Sequence, residues 1–139
     1  MAHKVLIVDD NPFVARLWSR KLSDAGYLVQ TAVDGTGARA AVADWRPDLV
    51  LLDVVLPDTD GLALCREWRV GPVGADMRIV FVSALTSSHD VDAAYAAGAD
   101  GYIAKSVDTA RVLAARINQI LEPALAVTAS VQGGLAHGA

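Results

Sequence analysis

Three carboxylates, a hydroxyl and an ammonium stand at the ends of four short apolar runs in this chain. Val5-Leu6-Ile7-Val8 leads into Asp9-Asp10, and Leu49-Val50-Leu51-Leu52 into Asp53. Ile79-Val80-Phe81-Val82 leads into Ser83, and Gly101-Tyr102-Ile103-Ala104 into Lys105. Continuous apolar runs of this length, bounded by turn residues, read as strands buried on both faces. Parallel strands share one C-terminal side, so all five groups reach one sheet edge, where ligands bind in open α/β sheets. Three carboxylates gathered there repel one another unless a cation lies among them. Oxygen-only donors with few protein ligands suit Mg²⁺, which keeps several waters and often bridges to phosphate. A hydroxyl and an ammonium opposite suit a phosphoryl group, with the lysine as a compact point charge. Aspartate is also a covalent phosphoryl acceptor. A lone strand-end aspartate reads equally well as a cap or turn residue; the four polar strand ends taken together read as a site.

The elements that must position these groups follow from the intervening sequence. Asn11 and Pro12 are a cap residue and a proline at the first helical position. Val14, Leu17, Trp18, Leu22 and Ala25 then recur at helical spacing up to Gly26. Residues 28–33 read as a strand, and Asp34-Gly35 opens an Ala-rich helix that runs to Trp45 and ends before Pro47. Pro57 and Asp60-Gly61 mark a turn after Asp53. An amphipathic helix follows over 61–70, with Trp68 as core packing. Residues 71–74 form a loop. Ser87-Ser88 caps a helix through Ala97, stopped by Gly98. A last helix over 108–121 carries Leu113, Ile117, Ile120 and Leu121 on one face. Strand then helix, five times, implies a parallel sheet covered on both faces with right-handed crossovers.

Composition narrows the field. The 139 residues suffice for one domain with a substantial core, and 53% of them are hydrophobic. With 12 basic and 16 acidic residues the net charge is −4, which is no nucleic-acid footprint. A single cysteine, Cys65, allows neither an internal disulfide nor a cysteine-rich zinc site. No apolar run approaches a membrane span. The N-terminus passes directly into a strand-like run, which predicts a cytoplasmic chain without a signal peptide. The expected domain spans 1–122; residues 123–139, small and glycine-containing, read as a tail or linker stub.

The chain resembles the response-regulator receiver domains of two-component signalling over roughly residues 4–121. The resemblance is carried by Val8-Asp9-Asp10, by 52–61 (Leu-Asp-Val-Val-Leu-Pro-Asp-Thr-Asp-Gly), by Val82-Ser83-Ala84 and by 98–105 (Gly-Ala-Asp-Gly-Tyr-Ile-Ala-Lys). Each motif alone is weak and the set is specific. The resemblance implies a flavodoxin-like (βα)5 three-layer sandwich with strand order 2-1-3-4-5. It implies Asp53 as phosphoacceptor. Asp10, Asp53 and the Val55 backbone carbonyl would be direct Mg²⁺ ligands, and Asp9 would act partly through water. Ser83 would hydrogen-bond the phosphoryl group and Lys105 would pair with it. Tyr102 would be the switch aromatic, reporting phosphorylation to the surface of the fourth helix, last strand and last helix. The implied partners are a sensor histidine kinase or phosphotransfer protein and an output domain or target outside this chain, with a phosphorylation-linked homodimer as a further possibility. No direct contact with nucleic acid or membrane is implied. Such a domain is a phosphoacceptor with self-catalysed transfer rather than an enzyme acting on a separate substrate.

Two departures stand out. The family usually has proline after the lysine, often with a cis bond; here it is Ser106. A non-proline cis bond costs about 3 kcal/mol, so a trans bond is expected. Ser83 replaces the frequent threonine and keeps the hydroxyl. Two other readings remain. Gly35-Thr36-Gly37-Ala38-Arg39-Ala40 fits the G-x-G-x-x-A pattern of a dinucleotide-binding half-domain. A Mg²⁺-dependent phosphohydrolase with an aspartate nucleophile commonly carries a second aspartate two residues later, where this chain has Val55.

Overall fold

The computed structural model describes residues 2–122, so the expected tail at 123–139 lies outside the described residues. Five parallel strands lie in the order β2-β1-β3-β4-β5. The strands are β1 (Lys4–Val8), β2 (Leu28–Ala32), β3 (Leu49–Leu52), β4 (Arg78–Ser83) and β5 (Gly101–Ala104). They alternate with α1 (Pro12–Asp24), α2 (Gly35–Trp45), α3 (Gly61–Val70), α4 (Ser88–Ala96) and α5 (Thr109–Leu121). This is the flavodoxin-like arrangement expected from the sequence.

Successive strand residues point to opposite faces, and both faces are apolar. Val5, Ile7, Leu49, Leu51, Val80, Val82 and Ile103 meet Ala15, Trp18 and Leu22 of α1 and Leu113 and Ile117 of α5. Leu6, Val8, Val50, Leu52, Ile79 and Phe81 meet α2, α3 and α4, with Trp68 in that core as expected. Ile120 and Leu121 pack only partly against their side. The central strand β3 is buried along its whole length. α4 is the least anchored helix; Ala94 is its one buried residue.

Small boundary differences have physical causes. β2 stops at Ala32 rather than Val33. The Asp9 N–H to Ala32 carbonyl bond, 3.1 Å, is its last rung, and Val33 stands 58% exposed. α4 ends one residue before Ala97, whose N–H already closes the cap. Asp108 lies outside α5 and makes no side-chain capping bond; the Thr109 hydroxyl instead bonds the Ala104 carbonyl and receives the Ser106 N–H. Among the described residues every peptide bond is trans, Lys105–Ser106 included, as expected. No helix among the described residues is long and apolar enough to cross a membrane.

The edge opposite the polar strand ends is tied by Arg69 at the end of α3. Its Nε donates to the Gly98 carbonyl at 2.8 Å, and its other nitrogens reach the carbonyls of Gly74, Ala75 and Met77 and the Asp100 carboxylate. Asp100 in turn receives the Ile79 N–H at 2.8 Å.

Candidate functional site

Register brings the strand ends level. Val8 pairs with Leu52, so Asp9 and Asp53 leave the sheet side by side, and the Asp53 N–H still reaches the Val8 carbonyl at 3.3 Å. Ser83 pairs with Ala104, and the Lys105 N–H donates to the Ser83 carbonyl at 2.8 Å. Lys105 then extends across the edge. Its Nζ lies 2.8 Å from Asp53 Oδ2, a hydrogen bond, and 2.7 Å from Asp9 Oδ2.

The Asp9 side chain is 1% exposed. Its Oδ1 receives the Asn11 N–H at 2.8 Å, which fixes the turn into α1. Its Oδ2 is the one buried side-chain polar atom among the described residues with no directed hydrogen bond; the ammonium contacts it as a charge, off the line of a bond. Burial pulls the Lys105 ammonium down, but the Asp53 hydrogen bond and the charges of Asp53 and Asp9 outweigh it and hold the pKa above its ordinary value. The Trp18 ring centroid lies 5.9 Å from Lys105 Nζ, within cation–π range.

The loop after Asp53 is closed on itself. Val55 N–H donates to Asp53 Oδ1 at 3.2 Å. Gly61 N–H meets the Val54 carbonyl at 2.7 Å, and Leu56 N–H meets the Thr59 carbonyl at 3.3 Å. These bonds bridge Val55 to Asp60 and leave the Val55 carbonyl outside the pairing. A Cβ on Gly61 would lie 2.2 Å from the Asp53 carbonyl oxygen, so the close approach admits only glycine. At the loop's tip, Asp58 accepts the N–H groups of Gly35 and Thr36 at 2.7 and 3.0 Å and the Thr36 hydroxyl at 3.0 Å.

Of the sequence-predicted residues, Asp9, Asp53 and Lys105 are brought into contact. Asp10 is exposed, with no bond to its carboxylate among the described residues. Ser83 is buried at the β4 end, and its Oγ accepts the Leu85 N–H at 3.2 Å. Tyr102 packs its ring against Phe81, centroids 6.3 Å apart, and its hydroxyl donates to the Leu85 carbonyl. Burial, helped by the charges of Asp90 and Asp53, raises its pKa against a contact with Ser83, so the phenol stays a donor. Sequence reading did not assign Trp18 to the site, because helical spacing shows only that it faces inward. A separate apolar cavity of about 250 Å³, between α2 and the 71–74 loop, includes none of the strand-end groups.

The donor set suits Mg²⁺. Asp9, Asp10, Asp53 and the Val55 carbonyl are all oxygen donors, and the buried, undirected Asp9 Oδ2 and the unpaired Val55 carbonyl have capacity to spare. In the arrangement described, no three carboxylate, imidazole or thiolate side chains among the described residues converge closely enough to hold an ion, since Lys105 stands between two of them.

A doubly wound sheet with acidic, hydroxyl and lysine groups on one edge defines a phosphate-handling α/β domain. Residues 5–118 match the model of the response regulator receiver domain, and the chain belongs to that family. It is 37% identical over 118 residues to the DNA-binding dual master transcriptional regulator RpaA of a Synechocystis strain, covering 85% of this chain and 48% of that protein. It is 40% identical over 114 residues to the response regulator MprA of a Mycobacterium strain, covering 82% and 49%. The chain thus spans about half the length of these curated relatives. Among solved structures it resembles the chemotaxis response regulator CheY4 of Vibrio cholerae, with a TM-score of 0.81 at 29% identity, covering 86% of this chain and 99% of that one.

Proposed function

We propose that Asp53 is the phosphoacceptor of this receiver domain, taking a phosphoryl group from a kinase or phosphotransfer-protein phosphohistidine. The observation that carries this reading is the Lys105 ammonium, held 2.8 Å from Asp53 and 2.7 Å from the buried Asp9 at the C-terminal edge of the sheet. Phosphoryl transfer needs positioning and charge neutralisation more than covalent help. Asp53 is oriented by the Val55 N–H and by Lys105. One carboxylate oxygen of Asp53 bonds to phosphorus as the phosphorus–nitrogen bond of the donor breaks, and the imidazole leaves. Lys105 moves its charge from the carboxylates to the incoming phosphoryl oxygens. Ser83 gives its hydroxyl to one of them. Mg²⁺, held by Asp10, Asp53 and the Val55 carbonyl with Asp9 nearby, would supply the remaining charge neutralisation.

The output is a change at the α4-β5-α5 surface, with Ser83 and Tyr102 as its first movers. That surface would engage an output domain, a target protein or a second copy of the chain. The site offers a dinucleotide little, because Asp58 and Asp34 already occupy the N–H groups of Gly35, Thr36 and Gly37 that would face a pyrophosphate. A phosphohydrolase role has no acid/base side chain at Val55.

The test is incubation with acetyl phosphate and Mg²⁺, borohydride trapping and mass-spectrometric mapping. A single adduct on Asp53 is expected, absent in Asp53→Asn. Stoichiometric uptake by Asp53→Asn would sink the assignment.

A further inference from the structure

We infer that Asp58 is a positioning residue for the phosphorylation site, acting as a clasp between the loop that follows Asp53 and the N-terminus of α2. The inference rests on the phosphoacceptor reading above and adds a residue and a role to it. Asp58 makes three bonds across 22 or 23 residues of sequence, to the two N–H groups of Gly35 and Thr36 and to the Thr36 hydroxyl. The first N–H groups of a helix have no partner within it. Here the Asp34 side chain takes that of Gly37, and Asp58 takes those of Gly35 and Thr36. The helix end thus holds a carboxylate that belongs to a different segment. The clasp is also steric. A Cβ on Gly35 would lie 2.5 Å from the Thr59 methyl, so the loop tip lies directly on the helix start.

Leu56 roots this loop in the core shared with α2, α3 and α4. Its base is closed by the Gly61–Val54 and Leu56–Thr59 bonds. Those bonds fix its shape, and Asp58 adds the polar tie that holds its tip against the start of α2. Val55 lies within the base, between those two bonds and three residues before Asp58, and its carbonyl is a proposed Mg²⁺ donor. Partners behind a metal ligand orient it, and their loss typically lowers metal affinity or activity. The bonds from Gly35 and Thr36, against a smaller opposing effect of desolvation, hold the Asp58 carboxyl below its ordinary range, as expected of a carboxylate that accepts several N–H groups.

The experiment is calorimetric titration of the full chain with Mg²⁺ alone, beside the Mg²⁺ dependence of acetyl-phosphate uptake. Asp58→Ala is expected to weaken Mg²⁺ binding about tenfold or more. Its uptake rate should return to near the wild-type value at saturating Mg²⁺. Asp58→Asn, which keeps a carbonyl oxygen for Gly35, should recover part of the loss. Thr36→Val, which removes only the hydroxyl bond, should shift affinity in the same direction by less and serves if Asp58→Ala does not fold. Unchanged Mg²⁺ affinity in Asp58→Ala, or in both milder variants, overturns the clasp. So does a rate loss that saturating Mg²⁺ does not restore. A wild-type chain that neither binds Mg²⁺ nor takes up phosphoryl overturns the phosphoacceptor reading itself; a competent wild type beside an unaltered Asp58→Ala overturns the clasp alone.

Discussion

Lys105 shows how one side chain sets the resting state of the site. Its pKa lies above the ordinary lysine value in the folded chain. A group with a raised folded pKa contributes stability that is fully present below its unfolded pKa and is lost as pH rises through the folded one. Since a free lysine titrates near 10.4, its contribution is constant across neutral and mildly alkaline pH. Acetyl-phosphate uptake should therefore show no lysine titration between about pH 7 and 9.5. A midpoint inside that window would mean that desolvation of Lys105 outweighs its Asp9 and Asp53 contacts in solution. Lys105→Met leaves a buried carboxylate at Asp9 without its cation, a change that costs about 3 kcal/mol in buried pairs. Chemical denaturation without Mg²⁺ should show a loss of that order; a loss under about 1 kcal/mol would place Asp9 among the weakly coupled surface charges. Val55 and Leu85 bear on the lifetime of the phosphorylated state. They are 63% and 40% exposed, apolar, and follow Asp53 and Ser83 by two residues each. Neither side chain can hydrogen-bond a water in line with the Asp53–phosphorus bond, and each ~1.4 kcal/mol of lost positioning slows hydrolysis about tenfold. Label loss from the purified chain should take many minutes and quicken in Val55→Asn, Leu85→Glu. Decay within seconds, or no difference between the two, would refute this.

At the scale of elements, glycines separate two kinds of constraint. Gly61→Ala would place a methyl 2.2 Å from the Asp53 carbonyl oxygen and 3.0 Å from Val54 Cα, backbone atoms that cannot step aside. Gly26 has a positive φ of +99° but nothing within 4 Å of an added Cβ. Gly26→Ala should cost about 1–2 kcal/mol of backbone strain and leave phosphoryl uptake unchanged. Gly61→Ala should impair uptake as well as stability, since the displaced segment is the site itself. Equal uptake in the two variants would contradict that distinction. The strands and helices were legible because short apolar runs alternate with segments of helical spacing, and the order of strands in the sheet because the motifs resemble those of the receiver family. So was the convergence of Asp9, Asp53 and Lys105, because parallel strands must deliver their ends to one edge. Val33 was misread as strand because a β-branched residue extends an apolar run, while the ladder ends where Asp9 turns away. The Asp58 clasp was illegible for another reason. A turn aspartate is visible in the sequence, but its partners are 22 and 23 residues distant and meet it only after α2 and β3 are placed.

For the whole molecule, ion binding and folding are linked. A ligand that binds only the folded state stabilises it by about 2.7 kcal/mol at one hundred times its dissociation constant. Mg²⁺ at that excess should raise the unfolding free energy by this amount, and Asp53→Asn should remove most of the effect. No Mg²⁺ effect on the wild-type transition would argue against the proposed ligands. The two apolar cores lie on opposite faces of one sheet. The strands that carry the site residues therefore border both helical layers.

The Arg69 tie bears on how a change at the strand ends can travel. α4 begins at the C-terminal edge of the sheet, where the Ser87–Asp90 capping box follows the Ser83–Leu85 segment after Thr86. It ends at the opposite edge, where the Gly98 carbonyl is pinned by the Arg69 guanidinium at 2.8 Å. With one end fastened and one buried side chain along its length, α4 is held more firmly at Gly98 than at Ser88. If phosphorylation moves Leu85, to which Tyr102 is tethered, the Ser88 end of α4 is the one with room to follow.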